Sequence, residues 1–422
     1  MSMTGQGKSE PGRLADATFW SRPGLGQLLE LLNRAGEETR VVGGAVRDAL
    51  MGLEVGDVDI ATTALPQEVM RRVADAGMKA VPTGLAHGTI TVVVDGAPYE
   101  VTTLREDTQT DGRHAEVVFG RDWARDAARR DFTINALYAT PDGTVIDLVG
   151  GLADIPTRHV RFIGDPRARI REDYLRILRL FRFHATYGAG AVDATALRAC
   201  EHERDGLARL SRERVGAEMR KLLVAPAAAS TLQTMSDSGL LQPILGGIAA
   251  MVRFRRLVEL EAAWGAAPDA MRHLGALALW TRHDALRLRE RLRLSNAEAR
   301  QLDEMAGPVP DLAEATARRA FFHAVGRQAA QDRALLAAAD SGVAQSARPH
   351  LRAAFHEARH WVRPNLPITA ADLMVRGLKP GPDLGRALKR VEQAWVAADF
   401  PMSPEALEPL VAQMLAELDM QS

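Results

Sequence analysis

Three acidic residues and a glycine pair are the first places where this sequence carries legible chemistry. The run Val41-Val42-Gly43-Gly44-Ala45-Val46-Arg47-Asp48 is followed closely by Asp57-Val58-Asp59-Ile60. A strand that enters a Gly-Gly turn and then a helix presents backbone N–H groups to an anion. With Arg47 one turn inside the helix, Gly43 and Gly44 therefore form a phosphate cradle. Asp57 and Asp59, two apart on a strand, point to one face, where two carboxylates share a hard divalent cation. Mg²⁺ is the usual choice when phosphates and water complete the shell. A lone Asp-x-Asp is weak evidence, but the order Gly-Gly, Val-Arg-Asp, Asp-x-Asp is far more specific. A third carboxylate, needed to orient metals against an attacking oxygen, is expected at Glu100 in the apolar-flanked run Tyr99-Glu100-Val101-Thr102. Its competing reading is a surface charge on an edge strand.

The second chemical site lies in Glu172-Asp173-Tyr174-Leu175-Arg176-Ile177-Leu178-Arg179-Leu180-Phe181-Arg182-Phe183. Asp173 and Arg176, spaced i and i+3, project from one helix face, and Arg179 continues it. Such a pair in isolation is most often a surface ion pair. Two features favour a cleft instead. Leu175, Ile177, Leu178, Leu180, Phe181 and Phe183 supply enough apolar surface to bury the helix. The surrounding stretch also carries Arg158, Arg161, Arg167, Arg169, Arg171, Arg176, Arg179 and Arg182 against Asp165, Glu172 and Asp173, a local cation excess of the kind polyphosphates require.

These residues need a scaffold, and the sequence predicts α+β architecture. From Arg40 to about Asp147, short β-rich runs alternate with helical stretches at Ala45 to Met51 and Pro66 to Ala76, giving an α/β head. Beyond Ile170, Leu, Ala and Arg recur at helical spacing to the end, giving an all-helical body. Breaks fall at Ala225-Pro226, Gly307 to Pro310 and Arg363 to Pro367. The expected parts are a mobile lead-in over residues 1–24, a head over 25–157, a neck over 158–225, a body over 226–362 and a tail over 363–422.

With 422 residues, 46% of them hydrophobic, the chain has material for several cores. Its 53 Lys and Arg balance 54 Asp and Glu, so a polynucleotide partner must be met by local rather than bulk charge. The single Cys200 excludes an internal disulfide and any cysteine-based metal site, and points to a reducing, cytoplasmic setting. No run of 18 apolar residues predicts a membrane span. His283-Asp284 is read as a solvated helix face rather than a metal pair. The oligomeric state is left open.

Taken together, the motifs resemble the nucleotidyltransferase superfamily that includes DNA polymerase beta, and more narrowly the bacterial class II tRNA nucleotidyltransferases, the CCA-adding enzymes, with their poly(A) polymerase relatives. Asp126-Ala127-Ala128-Arg129-Arg130-Asp131-Phe132-Thr133-Ile134-Asn135-Ala136-Leu137 looks like the family's Arg-Arg-Asp motif. The resemblance implies that Arg130 and its neighbour meet triphosphate while Asp131 reads the ribose hydroxyls. Asp147 to Gly151 with Arg161 to Gly164 is similar to the head-to-neck connector. Glu172 to Phe183 matches the base-reading helix, and Leu210-Ser211-Arg212-Glu213-Arg214 with Glu218 and Lys221 resembles the next neck motif. Pro380 to Gly385 is similar to the tail segment.

The implied activity is template-independent addition of CMP and AMP to tRNA 3′ ends from CTP and ATP with Mg²⁺. Gly43, Gly44, Arg47, Arg130, Asp131, Asp173, Arg176, Arg179 and Arg182 are the expected nucleotide-binding residues. An Asp acceptor beside an Arg donor fits the amino group and ring nitrogen of cytosine and adenine and opposes uracil and guanine.

The rivals are a poly(A) polymerase, a partial enzyme adding only part of the end, and a non-catalytic RNA-binding protein. Gly84-Leu85-Ala86-His87-Gly88-Thr89 and the tail segment look like CCA enzymes. Arg105 to Arg113 resembles the flexible loop of enzymes that add the terminal A. A non-catalytic descendant is expected to lose a carboxylate, yet Asp57, Asp59 and Glu100 are all present.

Overall fold

The computed structural model describes residues 13–107, 117–340 and 348–419. The chain divides into two compact units, Met1–Pro243 and Ile244–Ser422. The head expected over 25–157 and the neck expected over 158–225 both lie in the first unit, and the boundary falls within a short helix.

The first unit contains nine strands among its described residues: β1 (Thr39–Val42), β2 (Asp59–Thr62), β3 (Lys79–Gly84), β4 (Thr89–Val94), β5 (Ala97–Thr103), β6 (Arg105–Asp107), β7 (Val117–Phe119), β8 (Leu137–Ala139) and β9 (Val145–Asp147). Seven form one sheet in the order β3-β4-β5-β2-β1-β8-β9, while β6 and β7 pair as a separate hairpin. Within the seven-stranded sheet only β2 and β5 run parallel, and that exception matters because their register sets Asp59 beside Glu100. Glu100 therefore stands on an interior strand, against the edge-strand reading. Alternation in β4 buries Ile90, Val92 and Val94. Against the sheet lie α1 (Leu25–Leu32), whose Leu25, Leu28, Leu29 and Leu32 form one buried stripe at helical spacing, and α3 (Pro66–Asp75), with Pro66 in its first turn.

Between β1 and β2 runs α2 (Gly44–Leu50), and α4 (Trp123–Ala128) precedes the Arg-Arg-Asp segment. No strand follows Asp147 among the described residues, as the α+β reading requires. The helices continue as α5 (Gly151–Thr157), α6 (Pro166–Glu172), α7 (Leu175–Tyr187), α8 (Ala194–His202), α9 (Arg212–Leu223) and α10 (Ala228–Asp237), and α11 (Leu241–Leu245) spans the unit boundary. α7 is the central one, packed by α9 and α10, with Ile177, Leu178, Leu180 and Phe181 fully buried.

The expected mobile lead-in is corrected for its described part. Leu14 N donates to Gly143 O at 2.7 Å, Phe19 is buried, and Pro23 O accepts from the Tyr99 hydroxyl at 2.6 Å, so residues 13–24 are fastened to the head. Residues 1–12 lie outside the described residues. So does most of the expected loop at Arg105 to Arg113, of which only Arg105 to Asp107 is seen, as β6.

The second unit is helical throughout its described residues: α12 (Met251–Trp264), α13 (Ala270–Ala278), α14 (Arg282–Leu292), α15 (Asn296–Met305), α16 (Ala315–Val325), α17 (Arg327–Ala339), α18 (Arg348–His360), α19 (Ala370–Val375), α20 (Pro382–Ala397) and α21 (Pro404–Asp419). The predicted breaks separate α9 from α10, α15 from α16 and α18 from α19. The last three helices share a small core of Leu373, Ala387, Val391, Val411 and Met414. Asp284 caps α14, accepting from Trp280 N and Thr281 N at 3.0 and 2.9 Å, which leaves His283-Asp284 with an ordinary structural role.

Candidate active site

A cleft of about 560 Å³ in the first unit is lined by the Gly-Gly turn, Asp59, the Arg-Arg-Asp segment and one face of α7. It contains Gly43, Gly44, Arg47, Arg130, Asp131, Asp173, Arg176, Arg179 and Arg182, every nucleotide-binding residue expected from the sequence. Gly43 holds φ +72° and ψ −119°, a conformation L side chains rarely adopt, so the strand can turn sharply into α2 only with glycine there.

The turn is less open as an anion cradle than expected. Gly43 N donates to Leu137 O at 2.9 Å, which occupies that amide. Arg47, buried at 5% exposure, donates from Nε to Asp48 Oδ1 at 2.9 Å, from Nη1 to Asn135 Oδ1 at 2.6 Å and from Nη2 to the Tyr187 hydroxyl at 2.7 Å. Its guanidinium lies on the Tyr187 ring at 3.8 Å. Arg47 lines the cleft, but its donors are engaged by protein groups.

Asp59 opens β2 opposite Val42 of β1 and beside Glu100 of β5. Asp57 precedes the strand rather than sharing it, so the expectation that two residues of one strand face the cleft is corrected. All three acids are solvent-reached. The cleft walls nonetheless desolvate the Asp59 carboxyl and push it above the usual carboxylate range. Glu100 and then Asp57 reinforce that rise by repulsion, while Arg130 opposes it. Among the described residues no three His, Cys, Asp or Glu side chains converge into a ready-made metal cage. The oxygen-only donors of Asp57, Asp59 and Glu100 fit a hard divalent cation whose shell is completed by phosphates and water.

Across the cleft the acids are compensated. Asp126, 1% exposed, forms ion pairs with Arg129 and Arg130 and accepts from the Tyr138 hydroxyl at 2.8 Å. Burial would raise its carboxyl, but Arg130, Arg129 and Tyr138 outweigh burial and hold it below the usual range. Asp131 accepts from Arg179 Nε at 2.7 Å, Asn135 Nδ2 at 3.1 Å and Phe132 N at 2.9 Å. Its carboxyl is likewise low despite burial, chiefly through Arg179.

The helix expected from Glu172 begins only at Leu175. Asp173 sits in extended backbone (φ −153°, ψ 106°) between α6 and α7, so it does not share a helix face with Arg176. Their side chains do not pair with each other, although Arg176 N donates to Asp173 O at 3.0 Å. Asp173 Oδ2 accepts from Arg214 Nη2 at 2.6 Å, while Arg176 Nη1 donates to Glu172 Oε2 at 2.5 Å and Arg169 O at 2.8 Å. An i, i+3 surface pair is thus absent, yet both side chains line the cleft. Arg182 donates from Nε to Glu218 of α9 at 2.5 Å, and the guanidiniums of Arg47, Arg179 and Arg182 lie 5.4, 5.2 and 4.2 Å from the Phe183 ring.

Sequence reasoning assigned no site role to Asn135, Phe183, Tyr187, Arg214 or Glu218, although Arg214 and Glu218 stood in a quoted neck motif. Phe183 and Tyr187 had a signal: Arg176, Arg179, Phe183 and Tyr187 follow helical spacing along one face. Asn135 stood within the Arg-Arg-Asp motif, but its contact with Arg47 follows from the turn between α4 and β8.

Residues 39–161 match the family model described as Poly A polymerase head domain, and residues 191–251 match Probable RNA and SrmB- binding site of polymerase A. The mitochondrial CCA tRNA nucleotidyltransferase 1 of Danio rerio is 34% identical over 406 residues, covering 92% of this chain and 90% of that protein. The CCA-adding enzyme of Lacticaseibacillus paracasei is 34% identical over 403 residues, covering 92% and 95%. The crystal structure of the Bacillus stearothermophilus CCA-adding enzyme in complex with CTP superposes with a TM-score of 0.72 at 28% identity, covering 93% of this chain and 98% of that one. With its motifs standing in one cleft and its likeness running nearly end to end, the chain belongs to the family of CCA-adding tRNA nucleotidyltransferases.

Proposed function

We propose that this chain builds the CCA end of tRNA by adding CMP and AMP from CTP and ATP, using the first-unit cleft as its single nucleotide site. One observation carries the reading: a single cavity joins Asp59, set beside Glu100, to an arginine-lined wall that ends at Asp173 and Arg176. Asp57 and Asp59 are the residues that would hold Mg²⁺, with Glu100 beside them. When bound, the cation screens the charge developing between the attacking oxygen and the departing pyrophosphate.

The chain's own groups do the rest. Arg130 and the turn at Gly43 and Gly44 receive triphosphate, and Asp131 receives the ribose. Asp173, steadied by Arg214, accepts from the amino group of cytosine or adenine, while Arg176, steadied by Glu172, donates to the adjacent ring nitrogen. Arg179 and Arg182 supply the positive wall. A base offering a carbonyl beside an N–H meets like against like and is refused.

The tRNA acceptor end is the partner. No described helix is long and apolar enough to cross a membrane. A cytoplasmic setting belongs to the proposal, supported by one buried cysteine whose thiol burial keeps protonated.

The test incubates purified protein, Mg²⁺ and tRNA lacking its 3′ end with each nucleotide singly and together, and sizes the products. Two additions with CTP and a third only after ATP is supplied are expected. A long adenosine ladder would indicate a poly(A) polymerase, and A addition alone a partial enzyme. No extension at all would overturn the reading.

A further inference from the structure

We infer that Tyr187 is a positioning residue that locks the base-reading helix to the triphosphate turn, so that the two ends of the nucleotide are held at one fixed separation. The inference rests on the nucleotide site proposed above and adds a residue to it.

The geometry is a closed ring. Tyr187, last residue of α7, accepts from Arg47 Nη2 at 2.7 Å. Arg47 Nη1 donates to Asn135 Oδ1 at 2.6 Å, Asn135 Nδ2 to Asp131 Oδ1 at 3.1 Å, and Arg179 Nε to Asp131 Oδ2 at 2.7 Å, which returns the ring to α7. Arg47 belongs to α2, which begins at Gly44, and its backbone N–H donates to Gly43 O at 3.0 Å, so its main chain is tied to the turn while its guanidinium is held by Asp48, Asn135 and Tyr187.

Packing against α9 and α10 holds the buried side of α7. Its cleft-facing side is tied toward the turn at Arg179 and Tyr187, eight residues or about 12 Å apart. With only one of these ties that side could rock slightly against the turn, and the second limits its tilt. Arg176 lies one turn before Arg179 on the same face, so rocking would displace the base-reading guanidinium relative to Gly43 and Gly44. Misplacement of reacting groups costs rate even where binding survives, because alignment is needed most in the transition state. Two details argue that the contact is built rather than incidental. The Tyr187 ring underlies the guanidinium at 3.8 Å as well as bonding it, and Arg47 is 5% exposed, so water does not readily replace the hydroxyl.

The test compares wild type with Tyr187→Phe and Tyr187→Leu in single-nucleotide extension of tRNA lacking its 3′ end. Tyr187→Phe keeps the stacked ring and removes only the hydroxyl. Its kcat with CTP and with ATP is expected to fall about five- to ten-fold, the loss of one hydrogen bond's worth of alignment, with KM within about two-fold. Tyr187→Leu loses the ring as well and falls further. Preference for CTP over UTP narrows in both, because only a correctly read base profits from the fixed separation. A merely structural tyrosine would lower the melting temperature while leaving kcat per folded molecule and the CTP to UTP ratio unchanged, and that result overturns the inference. A wild-type protein that extends nothing overturns the functional reading beneath it, and the inference with it.

Discussion

Both units place arginines and carboxylates inside the fold, but to opposite ends. In the second unit, Arg272 donates from Nε to Glu261 at 2.6 Å, from Nη1 to Asp332 at 2.9 Å and from Nη2 to Ala267 O at 2.5 Å. Glu261 also meets His273 at 2.6 Å, and Asp332 accepts from Gln301 and Gln328 at 3.1 Å each. Arg272, Glu261 and Asp332 are 5%, 2% and 0% exposed. These charges are mutually satisfied and serve packing. In the first unit, Arg130, Arg176, Arg179 and Arg182 keep a face on an open cleft while an acid steadies each of them. At the far side Asp59 lines the cleft, with Glu100 and Asp57, which do not, repelling its carboxylate and Arg130 offsetting them. An ion pair closed on itself holds a fold together, whereas one left incomplete on a cavity awaits a charged ligand.

The most severe way to break that contrast is at the rim. Asp59→Ala or Asp57→Ala is expected to lower nucleotide transfer by roughly 10³-fold or more, since metal stabilisation of the transition state is worth several kcal/mol. Melting temperature should hardly change, because these acids stabilise nothing in the fold. Extension assays beside thermal melts check both halves, and either variant retaining substantial activity would remove the acid from the site. Glu100→Ala is expected to follow them.

The mirror experiment is Asp332→Ala. It removes one of the two acids that meet the buried Arg272 guanidinium and leaves Glu261 as the other, so the cost should reach toward the roughly 3 kcal/mol of breaking a buried pair. Chemical denaturation should reveal that loss, while Asp59→Ala shows none. A fold indifferent to Asp332→Ala would mean the second-unit charges are no better satisfied than those of the cleft.

Base reading gives the next largest effect. Arg176→Ala should lose CTP and ATP incorporation, and Asp173→Ala should relax the choice of base, each by about 1–3 kcal/mol of discrimination if protein–base pairing here resembles direct readout elsewhere. Misincorporation of UTP and GTP is the measurement. Unchanged selectivity in both variants would return these residues to surface roles.

The contrast also explains what the sequence could disclose. The Gly-Gly turn, the acid order and the Arg-Arg-Asp run are local signals, so they lead directly to the cleft, and strand alternation with helical periodicity yields the α+β division. What escaped was decided by long-range geometry. Asp173 and Arg176 have the spacing of a helix pair, but backbone that turns extended at Asp173 sends one to Arg214 and the other to Glu172. Arg47 reads as a phosphate ligand from its position after the turn, and the sequence gives no sign that Asn135 and Tyr187, 88 and 140 residues away, come to meet its guanidinium. β8, three residues long and starting where the Arg-Arg-Asp motif ends, offered too short a pattern to register as a strand.

The smallest effect is expected at Asp126, which sharpens the contrast between its compensated carboxyl and the crowded one of Asp59. Its folded-state proton affinity lies below the ordinary carboxylate value of 3.8: burial opposes ionisation, but Arg130, Arg129 and Tyr138 favour it more strongly. A lowered folded pKa means the unfolded chain binds the proton more readily, so the charged carboxylate contributes stability above the unfolded value and loses it as pH falls through the folded one. Asp126→Asn removes the charge at every pH. It should therefore cost about 1 kcal/mol at pH 7, a weakened rather than a lost hydrogen-bonded pair, since Arg129 and Arg130 retain 16% and 20% exposure and water takes up part of their charge. As pH falls below the unfolded value of 3.8 and then through the lower folded one, wild type protonates too and the two melting curves should converge. A gap that persisted unchanged into acid would show that Asp126 acts through shape rather than charge.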